Sequence, residues 1–451
     1  MRLKFLTRQT LAPLALTALV SATCAQPAAP APTPGPAPAP ALPDPVSTSV
    51  QAMGWMQGFP PAADKLITFD NPANSAFPRN RWTFSHIREI VPTANVWRGP
   101  GAPSVLRSAP VDIEQVRFQV MGTGEELTFA QALDRNYTDG ILVMHKGRVV
   151  YEKYLGALEP HRPHLAMSVT KSFVGTLAAL LAHEGTIQPE APVTDYLPEM
   201  KHTAYGDATV RQVMDMTIGV KYSETYADPK AEIWDYARAG GMIPQGKDYA
   251  GPKSFYEFLQ TLQKEGEHDQ GFAYKTVNAE VLAWIVRRAS GKPLAQLLSE
   301  RIWSRIGAEQ DAYFMVDRIG TESGGGGLNT TLRDLARFGE LMRNEGRAAN
   351  GQQVLPKAVV QDIRRGADPA KFVKAGYATL PGWSYRNMWW VSHNPNGAYM
   401  ARGIHGQAIY IDPKAQMVVV RYASHPIAGN AGIDPTSLPL YQALADAFMK
   451  K

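Results

Sequence analysis

His164-Leu165-Ala166-Met167-Ser168-Val169-Thr170-Lys171-Ser172-Phe173-Val174-Gly175 is the most informative stretch of this chain. Apolar residues fall at Val169, Phe173, Val174, Leu177, Leu180 and Leu181, which is a helical period. Gly185 stands where a helix commonly ends. The period predicts a buried helix opened by Ser168, with Lys171 one turn later on the same face. Unpaired N–H groups and the positive end of the dipole gather at a helix N-terminus. A serine attacking a carbonyl there has an oxyanion stabiliser at hand. A lysine in an apolar site gives up its charge more readily, so it can accept the serine proton. Ser-x-x-Lys is a weak motif, and a polar helix start with one solvated lysine would read the same way. It occurs once in the chain.

The composition fits a globular enzyme. The 451 residues are 45% hydrophobic and 19% charged, enough for one large domain or two smaller ones. Generous glycine (38) and proline (35) favour a loop-rich enzyme over a helical bundle. The formal charge of +5 owes three of its units to Arg2, Lys4 and Arg8, so nothing argues for a nucleic-acid partner. The single cysteine, Cys24, excludes a disulfide framework and a cysteine-based zinc site. Residues 1–25 read as an export signal: a basic start, an apolar run from Leu11 to Val20, and the small residues of Thr23-Cys24-Ala25. The run is too short for a membrane helix, and no later run is long enough. A periplasmic or secreted location follows. A lipid anchor at Cys24 stays open, although Ser21-Ala22-Thr23 lacks the large apolar residue usual before a modified cysteine.

Residues 26–49 read as an Ala/Pro-rich linker and 50–451 as one catalytic domain. Residues 50–110 are aromatic-rich and irregular, wrapping the main body. A short helix is expected over 127–135. Gly140–His145 and Arg148–Glu152 are β-rich runs joined by Lys146-Gly147, a hairpin signature. A mainly helical subregion spans about 186–320, with helical periods over Val210–Met216, Ser254–Lys264, Ala279–Ala289 and Leu294–Arg305. Gly324–Gly327 is either a plain turn or backbone that must approach a substrate closely. A helix over Leu332–Asn344, strands at Asn387–Ser392, Gln407–Ile411 and Met417–Tyr422, and a helix over Leu438–Met449 complete the chain. The β signal therefore lies at both ends of the body, an α+β pattern. No Gly-x-Ser-x-Gly elbow, His-Glu-x-x-His zinc motif or phosphate-binding glycine loop is present, so no metal or cofactor is expected.

Ser168-Val169-Thr170-Lys171 after a hairpin, then Tyr274, then a late glycine-bearing strand, resembles the serine β-lactamase and penicillin-binding-protein superfamily. The similarity is strongest to its class C-like branch, which holds family VIII esterases and 6-aminohexanoate-oligomer hydrolases. Asn80–Phe84, Met167–Lys171, Tyr226–Pro229, Val281–Val286, Trp389-Trp390 and Gly403–Gln407 resemble the latter, over roughly residues 80–450. The resemblance implies a β-lactamase/transpeptidase-like α+β fold, an antiparallel sheet flanked by helices. It implies Ser168 as the acylated nucleophile and Lys171 as its base. Tyr274 would relay the proton to the leaving group, its pKa lowered by Lys171. Thr276 takes the third place of that motif, with Asn278 as a weaker stand-in.

The third motif departs from the pattern, because Ala401-Arg402-Gly403-Ile404 replaces Lys-[Ser/Thr]-Gly. The resemblance makes the Ile404 N–H the second oxyanion donor. An alternative register through His405-Gly406-Gln407 moves that donor to Gln407. Tyr226 would close over the site from a loop, and Trp390 would form a pocket wall. A loop acid that favours nylon oligomers in some members falls near Ala237, with Asp235 close by. The expected function is an exported serine hydrolase acting through an acyl-enzyme on small esters or linear amides. A β-lactamase or D,D-peptidase is the alternative, and a non-catalytic envelope-binding protein a further one. The oligomeric state stays open.

Overall fold

The computed structural model of the chain describes residues 42–71 and 73–450. The expected export signal, Cys24 and linker residues 26–41 lie outside them. Of the remaining linker residues, Pro43 and Pro45 offer their carbonyls to Tyr137 and Arg81, and Ser49 caps a one-turn helix, Val50–Met53.

Seven antiparallel strands form the main sheet: β1 (Thr138–His145), β2 (Arg148–Tyr154), β3 (Ser384–Arg386), β4 (Trp389–Val391), β5 (Tyr399–Arg402), β6 (Ala408–Asp412) and β7 (Met417–Ala423), in the order β2-β1-β7-β6-β5-β4-β3. β1 and β2 are the expected hairpin. Lys146 and Gly147 both take positive φ (51° and 73°), the conformation that a two-residue turn between twisted strands requires. β1 then pairs with β7 from Met417↔His145 to Arg421↔Ile141, bringing the two ends of the body together.

Five helices matter for the site: α1 (Phe129–Arg135), α2 (Val169–His183), α3 (Thr276–Ser290), α4 (Leu332–Arg343) and α5 (Asp434–Met449). Consecutive strand residues face opposite ways. Ile409 meets α4, where Gly339 permits the approach: an added Cβ would lie 3.1 Å from Ile409 Cγ2 and 2.7 Å from Val418 Cγ1. Tyr410 meets Tyr441 of α5 on the other face. α2 lies on the α4 side, with Phe173 stacked on Phe338 at 3.8 Å. It is stitched to β4 and the turn before it. Ser172 Oγ donates to Met388 O, Trp389 Nε1 donates to Thr176 Oγ1, and a Cβ on Gly175 would collide with Asn387 O at 2.1 Å.

A second, four-stranded sheet was not foreseen from sequence. It runs Thr93–Val96, Ala312–Met315, Leu328–Thr330, His164–Leu165. Strands of two to four residues carry too little alternation to be read. Helix boundaries also differ, and the expected Leu294–Arg305 helix ends at Arg301, with Trp303–Arg305 a separate turn. The expected Ser254–Lys264 helix stops at Leu259, and Lys264 instead pairs in an isolated bridge with Val220. α5 starts at Asp434 and passes through Pro439. The carbonyl of Pro435, left free by the missing Pro439 N–H, accepts from Met121 N at 2.9 Å.

Among the described residues, no helix is long and apolar enough to cross a membrane. Among the same residues, no group of three or more His, Cys, Asp and Glu could hold a metal ion.

Candidate active site

Ser168 sits at the N-cap of α2 with helical backbone angles and is 8% exposed. The turn before it is held from three sides. Leu165 N donates to Phe84 O, Ala166 N donates to Leu328 O, and Leu328 N donates to Thr170 Oγ1. Met167, next to the serine, is forced to φ 48°, a strained conformation for a side-chain-bearing residue and one that recurs at functional sites.

Lys171 lies one turn along α2 and is 1% exposed. Its Nζ donates to Ser168 Oγ at 2.7 Å and to Gly325 O at 2.5 Å. Burial pulls its pKa down to about 8, against opposing contributions from Glu224 and Glu280. The glycine run forms a turn over Gly324–Gly326, the first of the two readings offered by sequence. Gly324 and Gly325 are needed where the loop crosses α3, since an added Cβ would lie 2.4 Å from Ala283 Cβ and 2.6 Å from Thr276 Cγ2 respectively. The close approach is to a helix, and the buried Gly325 carbonyl serves Lys171.

Tyr274 precedes α3, with Lys171 Nζ 5.2 Å from its ring centroid. Its phenol is pushed well above the ordinary range, first by burial and then by the Glu224 carboxylate, while the Ser168 hydroxyl works the other way. The expected lowering by Lys171 is thus corrected: the ammonium lies over the ring, and desolvation dominates. Thr276 gives both its N–H and its hydroxyl to Glu224, each at 2.7 Å. Asn278 faces Tyr205, whose hydroxyl donates to it at 2.8 Å, so it is no stand-in.

Gly403 brings the end of β5 against the serine turn. A Cβ there would lie 2.9 Å from Ala166 O and 3.0 Å from Met167 Cβ. This sets Ile404 beside the turn that carries Ser168. Gln407, the donor of the alternative register, closes the same loop. Its side chain bonds Ile404 O, Ala423 O and Ala423 N, and its carbonyl accepts from Gly403 N. The His405 ring is committed to the His425 carbonyl at 2.6 Å and lies edge-on to Phe84.

Arg402 is buried, ion-paired with Asp434, and lies 4.9 Å over the Trp390 ring. Its charge is already engaged. Trp390 packs at 5.3 Å from Tyr274, within a cluster that includes Phe272, Phe372, Tyr377 and Tyr385. Tyr226 is half-buried and donates to Glu224 Oε1 at 2.8 Å. Ala237 is buried on the helix Glu232–Ala239, and Asp235 is paired with Arg238 at 2.6 Å.

Three residues of this neighbourhood were not read from sequence: Glu224, Glu280 and Asp434. Glu280 had a signal. It is an acid between Val277 and Trp284 on the apolar stripe of α3. Glu224 and Asp434 had none.

Residues 128–436 match the protein family described as Beta-lactamase. The chain is 35% identical over 370 residues to a 6-aminohexanoate-dimer hydrolase of Paenarthrobacter ureafaciens, covering 82% of this chain and 91% of the relative. A solved structure described as a 6-aminohexanoate-dimer hydrolase from Bacillus anthracis has 35% identity and a TM-score of 0.77, covering 86% of this chain and 99% of that one. A hydrolase with promiscuous acyltransferase activity shares the fold at 17% identity and a TM-score of 0.53, covering 69% of this chain and 96% of its own. The chain belongs to the β-lactamase family. Within it, the chain is a serine hydrolase with the β-lactamase/transpeptidase-like fold, similar to 6-aminohexanoate-dimer hydrolases.

Proposed function

We propose that this enzyme hydrolyses small linear amides of the 6-aminohexanoate-oligomer kind, and short-chain esters, through an acyl-enzyme on Ser168. The observation that carries this reading is the 2.7 Å hydrogen bond between Lys171 Nζ and Ser168 Oγ in a site where the lysine is buried. Neutral Lys171 takes the serine proton as Oγ attacks the carbonyl carbon. The N–H groups of Ser168 and Ile404 receive the oxyanion. Tyr274, kept as a phenol by its surroundings, gives its proton to the departing amine or alcohol and is reprotonated by the Lys171 ammonium. Water then releases the acid by the reverse sequence. Tyr226 and Trp390 flank the reacting bond. Arg402 argues against a β-lactam preference, because Asp434 and Trp390 already occupy its charge.

The basic start and apolar run of residues 1–25 support export to the periplasm or beyond, with the Cys24 lipid anchor as a variant of it. Fractionating cells that express the full chain and its Cys24→Ser form separates the two.

The test of function compares kcat/KM for nitrophenyl butyrate, a linear 6-aminohexanoate dimer and nitrocefin on one preparation. A charge-assisted contact to a substrate carboxylate is worth about 1.5–3 kcal/mol. Without one, nitrocefin should lag behind the uncharged ester by on the order of 10- to 150-fold. A nitrocefin value equal to or above the ester's would replace this reading with the β-lactamase one.

A further inference from the structure

Glu280 is 1% exposed on α3. Four neutral donors converge on its carboxylate. Oε1 accepts from Tyr236 Oη at 2.5 Å, Ser323 Oγ at 3.0 Å and Gly325 N at 2.8 Å, and Oε2 accepts from Gly324 N at 2.9 Å. Bonds of this charge-assisted kind are the strong ones. The peptide they grip ends in the Gly325 carbonyl, and Lys171 Nζ donates to that oxygen. We infer that Glu280 is a positioning residue: through the Gly324-Gly325 peptide it fixes one acceptor of Lys171, so that the same nitrogen is held on Ser168 Oγ. The inference rests on the roles proposed above for Ser168 and Lys171.

Every donor in the cradle is neutral, so none of them is a counter-charge to Glu280, which acts on Lys171 from one peptide away. The other carboxylate that acts on Lys171 is Glu224, itself held by Thr276 and Tyr226. Tyr274 is the remaining titratable group at the nitrogen, and Arg402 acts on Tyr274 from the Trp390 side. Burial drives the Lys171 proton off, and the two carboxylates hold it on. Removing one of them should therefore move the proton equilibrium of Lys171, which a merely structural residue would not do.

The experiment follows the rate of Ser168 phosphonylation by a fluorophosphonate across pH on the intact protein. Ser168→Ala must abolish labelling; if label persists, the underlying assignment fails. With that control met, Glu280→Gln should shift the base limb to lower pH by about one unit or more. It should also slow the plateau rate by on the order of 10-fold, as the Gly325 carbonyl loosens. Glu280→Asp keeps the charge, so its base limb should stay with the wild type while its plateau falls. A folded Glu280→Gln enzyme with the wild-type pH midpoint would overturn the inference. Should that variant not fold, Ser323→Ala decides. Stripping one donor leaves the carboxylate charge less satisfied and more strongly felt at Lys171, so the midpoint should rise. An unmoved midpoint there overturns the inference as well.

Discussion

Replacing Lys171 by methionine should abolish turnover and, relative to the wild type, make stability less dependent on alkaline pH. Methionine is unbranched and apolar and fits a site shaped for a lysine stem. The lysine pKa falls from its ordinary value of 10.5 to about 8 on burial. That difference corresponds to about 3 kcal/mol, at about 1.36 kcal/mol per pH decade. Below pH 8 the folded and unfolded chains both carry the proton, and the cost of burying the charge is fully present. Between 8 and 10.5 the folded chain has released it while the unfolded chain keeps it, so stability rises with pH. The Lys171→Met variant has no such group. The difference in unfolding free energy, wild type minus variant, should therefore grow by about 3 kcal/mol between pH 7 and 10.5. Contributions that do not titrate, such as the lost bonds to Ser168 and Gly325, cancel in that trend. So does most of the titration of Tyr274, Tyr226 and Tyr385, whose pKa values burial raises in both proteins. Urea unfolding of both proteins across this range measures it. The same equilibrium governs rate. With a pKa near 8, about a tenth of Lys171 is neutral at pH 7, on the order of 300-fold more than an ordinary lysine would offer. A stability difference flat with pH would mean that Lys171 keeps its ordinary proton affinity when folded, and the general-base role would fall with it.

Ser168→Ala should leave the circular dichroism spectrum intact and reduce ester turnover by on the order of 10⁴-fold or more; an active, folded variant would end the nucleophile assignment. Tyr274→Phe should lower kcat by on the order of 10²- to 10⁴-fold, and activity within a few-fold of wild type would remove Tyr274 from the proton path. Activity should survive EDTA and omission of reductant, and loss to EDTA reversed by zinc would refute that. Arg402→Ala should cost about 3–5 kcal/mol of stability, because it strands the buried Asp434 carboxylate. A urea midpoint unchanged from wild type would show that the pair is not closed in solution.

How far the sequence reaches can be judged residue by residue. Ser168 and Lys171 were legible because a helical period and an i,i+3 spacing place two side chains together without any tertiary knowledge. The β1–β2 hairpin was legible for the same reason, since its turn is only two residues long. The pairing of β1 with β7, and the small sheet that binds Leu165 to Asn329, join segments far apart in sequence and carry no local mark. Glu280 was half-legible, as an acid interrupting an apolar helix face. The direction of the Tyr274 shift was not. Proximity to a cation suggested a lowered pKa, but whether a charge sits at the oxygen or over the ring is a matter of a few ångströms that only the folded chain decides. Arg402 illustrates the same limit: its side chain was free to be assigned outward or inward until Asp434 appeared beside it.

The position of Lys171 explains why so many unrelated segments meet at this point. Burial alone would strip its proton, and a direct carboxylate partner would return it to an ordinary, inert ammonium. The structure uses neither extreme. Glu224 and Glu280 act on Lys171, yet each spends its oxygens on neutral donors, Thr276 and Tyr226 for one and the Gly324-Gly325 peptide, Tyr236 and Ser323 for the other. Both networks anchor on α3, the helix that directly follows Tyr274. One element thus governs the phenol, the two carboxylates and the carbonyl that receives the lysine. The unfavourable burial of Lys171 is offset where α2 is pinned to β4 by Ser172, Thr176 and the absent side chain of Gly175. Those contacts fix α2 against the strand that carries Trp390. They hold Ser168, Lys171 and Trp390 in one rigid frame, which the proposed acyl transfer, with its need for sub-ångström alignment, requires.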